Sequence, residues 1–202
     1  MIIDNTSYKL TKDNYKAVEC EKTQIVIGNT NNRDMRHVIG WLHRYNGIYK
    51  KTAAFTIDKE GNVFKHFEPK YYTRYFNNLV LDKKTIVILI ENEGWLLKNG
   101  ENNEFITWVG DIYNQANPIE KKWRGYDHWV PYTEKQFESV TNLVKILCEE
   151  FDIPMTAIGH NTKVDNIADF SGVVYKSNLD RHFTDISPAW DFEGFKNKLE
   201  LK

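Results

Sequence analysis

The chain has 202 residues, of which 41% are hydrophobic, and this length and composition predict one domain with one buried core. Its 27 basic and 28 acidic residues leave a formal net charge of −1, which argues against a global attraction to duplex nucleic acid or to an anionic membrane. The two cysteines, Cys20 and Cys148, are far apart and lack metal-type spacing, which argues against a disulfide framework and fits a reducing compartment.

The first residues of the chain do not form a charged segment followed by an apolar one. No apolar run approaches the roughly 18 to 20 residues that a membrane-spanning helix needs. We therefore expect a protein that is neither exported by a leader sequence nor inserted in a membrane.

A strand, a loop and a helix are the first elements that the sequence predicts. Residues 24–27 are a short apolar, β-branched run that ends at Gly28 and continues into polar residues. Asp34 is then in place to cap a helix over residues 35–45.

A hairpin and a central strand follow. Residues 53–57 and 62–67 are apolar runs on either side of a tetrapeptide that ends at Gly61, where glycine permits the positive φ of a tight reversal. Residues 85–90 are continuously apolar, which is typical of a strand that is covered on both faces. We expect this strand in the middle of the sheet.

Periodicity is lost between residues 95 and 132, which we interpret as an elaborated surface insertion. A helix is predicted to begin after Thr133, because Thr133 and Gln136 have the spacing of a capping box and apolar residues follow at helical intervals. This helix is expected to end near Phe151, ahead of Pro154.

The last part of the chain is predicted to contain a short strand over residues 155–160, a long loop over residues 161–183, and a closing helix over residues 191–199. The strand presents His160 at its end. Alternating strands and helices with one hairpin predict an α/β fold, in which a mixed central β-sheet is flanked by helices.

This order of elements resembles the type 2 N-acetylmuramoyl-L-alanine amidases, a family that includes phage lytic amidases and the peptidoglycan recognition proteins. The similarity covers roughly residues 25–196. Its landmarks are Ile25-Val26-Ile27 with Thr30, Trp41 with His43, the hairpin at Gly61, Glu91-Asn92, the helix from Thr133, Asp152-Ile153-Pro154, Ile158-Gly159-His160, Thr184-Asp185 and Pro188-Ala189-Trp190-Asp191. The resemblance implies an amidase-like single domain.

The resemblance also implies a zinc site, in which three protein ligands hold the ion and a bound water attacks an amide carbonyl. The first ligand of the family, a histidine after the first strand, falls at Gly28, which has no side chain. The second falls at His160 and the third at Asp185. Two of the three ligands therefore remain.

The groups that assist catalysis in the family also differ in this chain. The tyrosine or glutamate that assists the water falls at Ala53 or Leu89, and the lysine that stabilises the oxyanion falls at Phe183. Loss of one oxyanion donor costs on the order of a hundredfold in rate, and loss of a metal ligand usually costs the metal. We expect no zinc cofactor, unless His182 or His37 acts as a replacement ligand.

These departures predict a binding protein that is not an enzyme. Its small-molecule ligand is a muropeptide or, if a phage has repurposed the fold, a phosphorylated or nucleotide-type host signal. The candidate ligand-binding residues are Asn29, Thr30, Asn32, Glu91, Asn92, Trp95, Trp123, Arg124, Tyr126, His160, Lys163, Lys176 and Arg181. Convergence of the four cations would suit a phosphate group, and the aromatic residues could stack a base.

Two other functions stay open at this point. The first is an active zinc amidase with a displaced ligand, and the second is a structural virion protein. The Asn- and Lys-rich chain with no separate wall-binding module is typical of a phage or prophage product, which would act in the cytoplasm of an infected or lysogenic bacterium. The oligomeric state stays open, as does the role of the 95–132 insertion as a lid or an interface.

Overall fold

The computed structural model describes residues 1–100 and 104–200. Along the chain, the strands are β1 (Ile3–Asp4), β2 (Gln24–Asn29), β3 (Phe55–Ile57), β4 (Val63–Lys65), β5 (Thr85–Ile90), β6 (Trp95–Lys98), β7 (Phe105–Thr107), β8 (Ile112–Tyr113), β9 (Ile119–Trp123), β10 (Tyr126–Trp129) and β11 (Gly172–Tyr175). The helices are α1 (Arg36–His43), α2 (Leu79–Lys84), α3 (Glu134–Phe151), α4 (Lys176–Leu179) and α5 (Phe192–Glu200).

A six-stranded mixed sheet with the order β1-β4-β3-β5-β2-β11 forms the centre of the fold. As predicted, β5 lies inside the sheet, where it pairs in parallel with both β2 and β3. All six residues of β5 are buried, which explains why its sequence is apolar throughout. The mixed α/β architecture predicted from the sequence is confirmed.

The predicted hairpin is also confirmed. Strands β3 and β4 pair antiparallel, and Gly61 adopts a φ of +79° in the turn between them. A side chain at this position would be strained by that φ, and a Cβ atom there would lie 2.8 Å from the carbonyl oxygen of Lys135 in α3. The glycine therefore allows the turn to approach α3 closely.

Helix α1 is shorter than predicted and begins differently. Met35 occupies its N-cap position without a side-chain hydrogen bond, so the prediction that Asp34 caps the helix is wrong. The Asp34 carboxylate instead accepts a hydrogen bond from the backbone N–H of Arg36 (2.9 Å). The helix gives way to a 3-10 turn, Arg44–Gly47, in which Tyr45 has positive φ.

The 95–132 insertion forms a second sheet. Strands β6 to β10 pair antiparallel in the order β8-β7-β6-β10-β9. A small core of Leu96, Tyr113 and Val130 with Phe105 lies against this sheet, separate from the main core. Strands of two to five residues with one face in solvent are too short to show a clear alternation in sequence, so only the insertion itself was predictable.

The structure corrects two predictions near the end of the chain. Residues 155–160 do not form a strand, because they contribute only an isolated bridge between Ala157 and Val173. Residues 161–183 are not one long loop, because they contain the 3-10 turn Ile167–Asp169, the edge strand β11 and the short helix α4. These elements are short enough that no periodicity marks them.

The two predicted helices around this region are confirmed. Helix α3 begins after Thr133 with both hydrogen bonds of the capping box and ends where Asp152 adopts the left-handed conformation. Helix α5 packs against α3, and its Phe195 lies in the main core. Among the helices of residues 1–100 and 104–200, none is long and apolar enough to cross a membrane.

The capping box of α3 gives a prediction about stability. Thr133 Oγ1 accepts from the Gln136 N–H (3.1 Å) and donates to the Lys59 carbonyl (2.8 Å), so it joins the helix to the β3–β4 turn. Replacing Thr133 with alanine should lower the free energy of unfolding by about 1 to 2 kcal/mol, measured by urea denaturation. Thr133→Ser keeps the oxygen and should retain most of the stability; equal losses in the two variants would contradict this account.

Candidate functional site

A buried carboxylate lies where the carboxyl end of β2 meets the segment before α5. The side chain of Asp185 is only 3% exposed, and its Oδ2 accepts a hydrogen bond from the backbone N–H of Asn29 (2.9 Å). The ammonium of Lys176, the first residue of α4, lies 3.2 Å from the same oxygen. A charged pair therefore occupies the interior at this end of the sheet.

Gly28 faces this pair directly. A Cβ atom built on Gly28 would lie 2.9 Å from Asp185 Oδ2, 3.2 Å from Lys176 Cδ and 3.2 Å from Leu89 Cδ2. Leu89 lies opposite Gly28 in the parallel register of β2 and β5, which places the two residues on one face of the sheet. The space beyond Gly28 is thus already filled by three neighbouring side chains.

The Lys176 ammonium is charged and held on several sides. Burial alone would lower its pKa, but the neighbouring Tyr75 and Asp185 raise the pKa above the ordinary value of a lysine. The ammonium also lies over the ring of Phe183, 4.6 Å from its centroid, and 5.7 Å from that of Tyr75. A cation is therefore a fixed part of this site.

The ion pair lies beside a pocket of about 460 Å³, which we call the aromatic pocket. Its walls are Tyr49, Lys51, Tyr75, Phe76, Asn78, Leu81, Lys176, Leu179, Asp180 and Phe183. The volume lies in the range of small-molecule sites, which are typically lined by aromatic residues with a few polar groups. Of these residues, only Lys176 is among the ligand-binding candidates from the sequence, and Phe183 was noted only as a lost catalytic position.

The sequence carries a weak signal for the residues that were missed. Tyr49, Tyr75 and Phe76 are aromatic residues in polar stretches outside the periodic runs, a composition that often lines ligand sites. Nothing local shows that residues 49–51 and 75–81 meet α4. The pocket is made by segments distant in sequence.

A second pocket, the hairpin pocket, has a volume of about 430 Å³ and also borders α4. Its walls are Arg124, Asn161, Thr162, Lys163, Ser177, Asn178, Leu179, Asp180 and Arg181. Three of the four candidate cations therefore surround one pocket, while Lys176 lines the aromatic pocket. Leu179 and Asp180 belong to both pockets.

Arg124 has a structural role in the hairpin pocket. Its guanidinium donates to the carbonyls of Ser177 (2.8 Å), Asp180 (2.9 Å) and Phe183, and to Asn161 Oδ1 (3.2 Å). Burial, as the main cause, lowers the pKa of this guanidinium. Because its donors are directed at protein oxygens, Arg124 fastens the β9–β10 hairpin to the segment after α4.

His160 lies among aromatic rings. Its imidazole stacks on Phe192 at a centroid distance of 4.2 Å and lies 4.7 Å from the ring of Trp123. Burial, with the nearby Arg124 and Lys121, lowers its pKa to about 4, so the ring is neutral. Its Nε2 is buried and has no hydrogen-bond partner.

The remaining candidates from the sequence are mostly engaged in the fold. The Asn29 side chain accepts from the Tyr132 hydroxyl (2.9 Å), and the Asn92 amide donates to the carbonyls of Val130 (3.2 Å) and Pro131 (3.3 Å). Thr30 Oγ1 donates to the Asn32 carbonyl, Trp95 stacks on Tyr126 at 4.3 Å, and Glu91 is buried. None of these seven candidates lines the aromatic pocket or the hairpin pocket.

A family model described as N-acetylmuramoyl-L-alanine amidase matches residues 19–172, which is most of the chain. The chain belongs to this amidase family. The match includes Gly28 and His160 and ends before Lys176 and Asp185. A comparison with curated protein sequences finds no match.

Solved structures of amidases have the same fold at low sequence identity. N-acetylmuramoyl-L-alanine amidase LysC from Clostridium intestinale is 14% identical with a TM-score of 0.57, and the alignment covers 100% of this chain and 99% of LysC. A mutant endolysin from Bacillus subtilis is 15% identical with a TM-score of 0.55, and the alignment covers 98% of this chain and 99% of the endolysin. AmiD from E. coli, solved with an anhydro-N-acetylmuramic acid peptide, is 13% identical with a TM-score of 0.54. The alignment covers 91% of this chain and 59% of AmiD.

The zinc ion that the family implies does not fit the residues of this amidase-family chain. Within the described residues, no group of three or more His, Cys, Asp or Glu side chains could hold a metal. Gly28 supplies no ligand, and Asp185 is engaged by an ammonium and a backbone N–H. His160 keeps a free Nε2, but one imidazole does not make a three-ligand site.

The two replacement ligands considered from the sequence lie elsewhere. His37 is buried in α1, where its Nδ1 lies 3.1 Å from the Asp34 carbonyl and its ring meets Trp41 edge to face. His182 is exposed, and its backbone N–H donates to Asp180 Oδ1 (2.8 Å). Neither joins His160 and Asp185 in a group of potential ligands among the residues that the structure describes.

The buried histidines give a prediction about pH. Burial lowers the pKa values of His37, His66 and His160 to about 4, whereas an unfolded histidine titrates at about 6.5. Between these values the unfolded chain binds more protons, so stability should fall as pH is lowered from about 7.5 to about 5. Glu91, whose pKa burial raises to about 7, acts in the opposite sense but is one group against three.

Urea denaturation at the two pH values tests this balance. His66→Gln removes one of the three histidines and should reduce the difference between the midpoints. An unchanged or higher midpoint at the lower pH would show that the buried histidines do not control this dependence.

Proposed function

We propose that this chain binds a muropeptide, the sugar-peptide fragment of peptidoglycan, without hydrolysing its amide bond. The observation that carries this proposal is the Lys176–Asp185 ion pair, which lies against Gly28 and beside an open aromatic pocket. The residues that the chemistry would need are replaced, while the adjacent concavity remains.

The side chains at the site do not support turnover. Zinc-dependent hydrolysis needs three protein ligands and a coordinated water whose pKa the metal lowers. Gly28 cannot be a ligand, and Leu89 presents a hydrocarbon side chain beside it instead of a proton acceptor. The Lys176 ammonium is a cation, but it has no coordination site at which to activate a water.

The aromatic pocket offers surfaces that suit a muropeptide. Tyr49, Tyr75, Phe76 and Phe183 provide flat surfaces against which the C–H faces of a sugar ring can pack. Lys51 is exposed at the same pocket and forms no ion pair among the described residues, so it is free to meet a carboxylate of the peptide. AmiD, which has the same fold, was solved with a ligand of this class.

The hairpin pocket supports a nucleotide-type ligand less well. The Arg124 guanidinium is directed at four protein oxygens, which leaves Lys163 and Arg181, of the three cations in the pocket wall, to meet a phosphate group. Trp123 is surrounded by Arg124, His160 and Trp129, so its ring is not open to a base. We therefore place the ligand in the aromatic pocket.

Calorimetry with N-acetylmuramoyl-L-alanyl-D-isoglutamine, followed by mass spectrometry of the mixture, tests the proposal. We expect saturable binding with no release of the dipeptide. Lys51→Ala should weaken binding about tenfold, the effect of losing one charge-assisted hydrogen bond.

Lys9→Ala is the matched control, because Lys9 is also exposed but lines a different pocket. Release of the dipeptide would instead support the alternative function, an active amidase. Absence of binding, or equal weakening by the two lysine variants, would remove the muropeptide from the aromatic pocket and favour a structural role.

A further inference from the structure

The Lys176–Asp185 pair lies beside Gly28, so it includes or adjoins two of the three positions to which the resemblance assigns metal ligands. In the resemblance drawn from the sequence, Gly28 and Asp185 take the positions of the first and third ligands, and a Cβ atom built on Gly28 would lie 2.9 Å from Asp185 Oδ2 and 3.2 Å from Lys176 Cδ. The lysine side chain therefore lies against the positions of two of the three ligands. This overlap comes from the tertiary structure, since Lys176 does not match any position of the zinc motif.

The electrostatic requirement at this place is a positive charge. A carboxylate with 3% of its side chain exposed is stable only if a cation or several hydrogen-bond donors compensate its charge. Asp185 has one backbone donor, from Asn29, and the Lys176 ammonium. In a zinc amidase the same carboxylate would be compensated by the metal ion.

The surroundings of Lys176 are suited to an ammonium. Its side chain is 13% exposed, and the rings of Phe183 and Tyr75 present their faces to it. The resemblance places the family's oxyanion lysine at Phe183. The Lys176 ammonium lies 4.6 Å from the centroid of that ring, so a different segment supplies a cation near the same position. A divalent ion at this place would have to lie against a charged ammonium, which Coulomb repulsion opposes.

We infer that the Lys176 ammonium replaces the metal ion in this chain: it compensates the charge of Asp185 and keeps divalent cations out of the site. The inference concerns the folded protein alone and does not depend on the ligand proposed above. Failure of muropeptide binding would leave it intact, and its own failure would be visible without any ligand.

The first test is a double-mutant cycle measured by thermal unfolding. Lys176→Met keeps the length of the side chain and removes its charge, which leaves Asp185 buried and uncompensated, and should lower the Tm by about 6 to 20 °C. Asp185→Asn should cost a similar amount, because it leaves the ammonium uncompensated. The double variant should regain at least half of the summed loss.

The exposed pair between Lys135 and Glu60 provides the matched control. Its atoms lie 2.7 Å apart, closer than those of the buried pair, but its side chains are 66% and 69% exposed. The cycle of Lys135→Met and Glu60→Gln should show little coupling, because water screens the interaction. Additive losses for Lys176 and Asp185, like those of the control, would overturn the inference.

The second test measures zinc directly. The purified wild-type protein should contain far less than one zinc per chain by elemental mass spectrometry. Gly28→His restores the first ligand, and Gly28→His with Lys176→Ala also removes the ammonium and frees space for the imidazole. The double variant should bind zinc at least tenfold more tightly than Gly28→His alone.

Two results of the zinc measurement would overturn the inference. One is stoichiometric zinc in the wild-type protein, which would mean that the ammonium does not keep the metal out. The other is equal zinc affinity in Gly28→His with and without Lys176→Ala. The single variant Lys176→Ala serves as the control, since it lacks the restored histidine, and its unfolding curve shows whether the chain remains folded.

Discussion

The buried ion pair between Lys176 and Asp185 is the interaction on which the candidate site depends. The same carboxylate oxygen also accepts the backbone N–H of Asn29, so the end of β2, the start of α4 and the segment before α5 meet at one atom. A buried charge is stable only when it is compensated. The three segments are therefore held in one arrangement by electrostatics as well as by packing, and the aromatic pocket takes its shape from that arrangement.

The second sheet also contributes to the site, through its β9–β10 hairpin. Arg124 lies at the tip of the β9–β10 hairpin, where positive φ values at Arg124 and Gly125 make a two-residue turn. Its planar guanidinium reaches the carbonyls of Ser177, Asp180 and Phe183. The insertion is thus neither an unattached lid nor a bare surface elaboration in this structure, because its tip fixes the wall that the two pockets share.

Membership of the amidase family establishes the scaffold, and the side chains at the site determine its chemistry. A zinc ion and an ammonium are both cations, and either can compensate a buried carboxylate. Only the metal has an open coordination position that activates water. A chain that exchanged one for the other would keep the fold and the cleft but lose the nucleophile, and this is the physical basis for proposing a binding protein on a hydrolase scaffold.

The sequence by itself determined the central strands, the hairpin and α3, because long apolar runs, a turn glycine and a capping box act locally. It also determined that Gly28 cannot be a ligand, since glycine lacks a side chain in any fold. Only the tertiary structure decided that Lys176 pairs with Asp185, that Tyr75 lies beside them, and that the insertion forms a sheet. Those contacts join segments distant in the chain, and strands of two to five residues are too short for periodicity to reveal them.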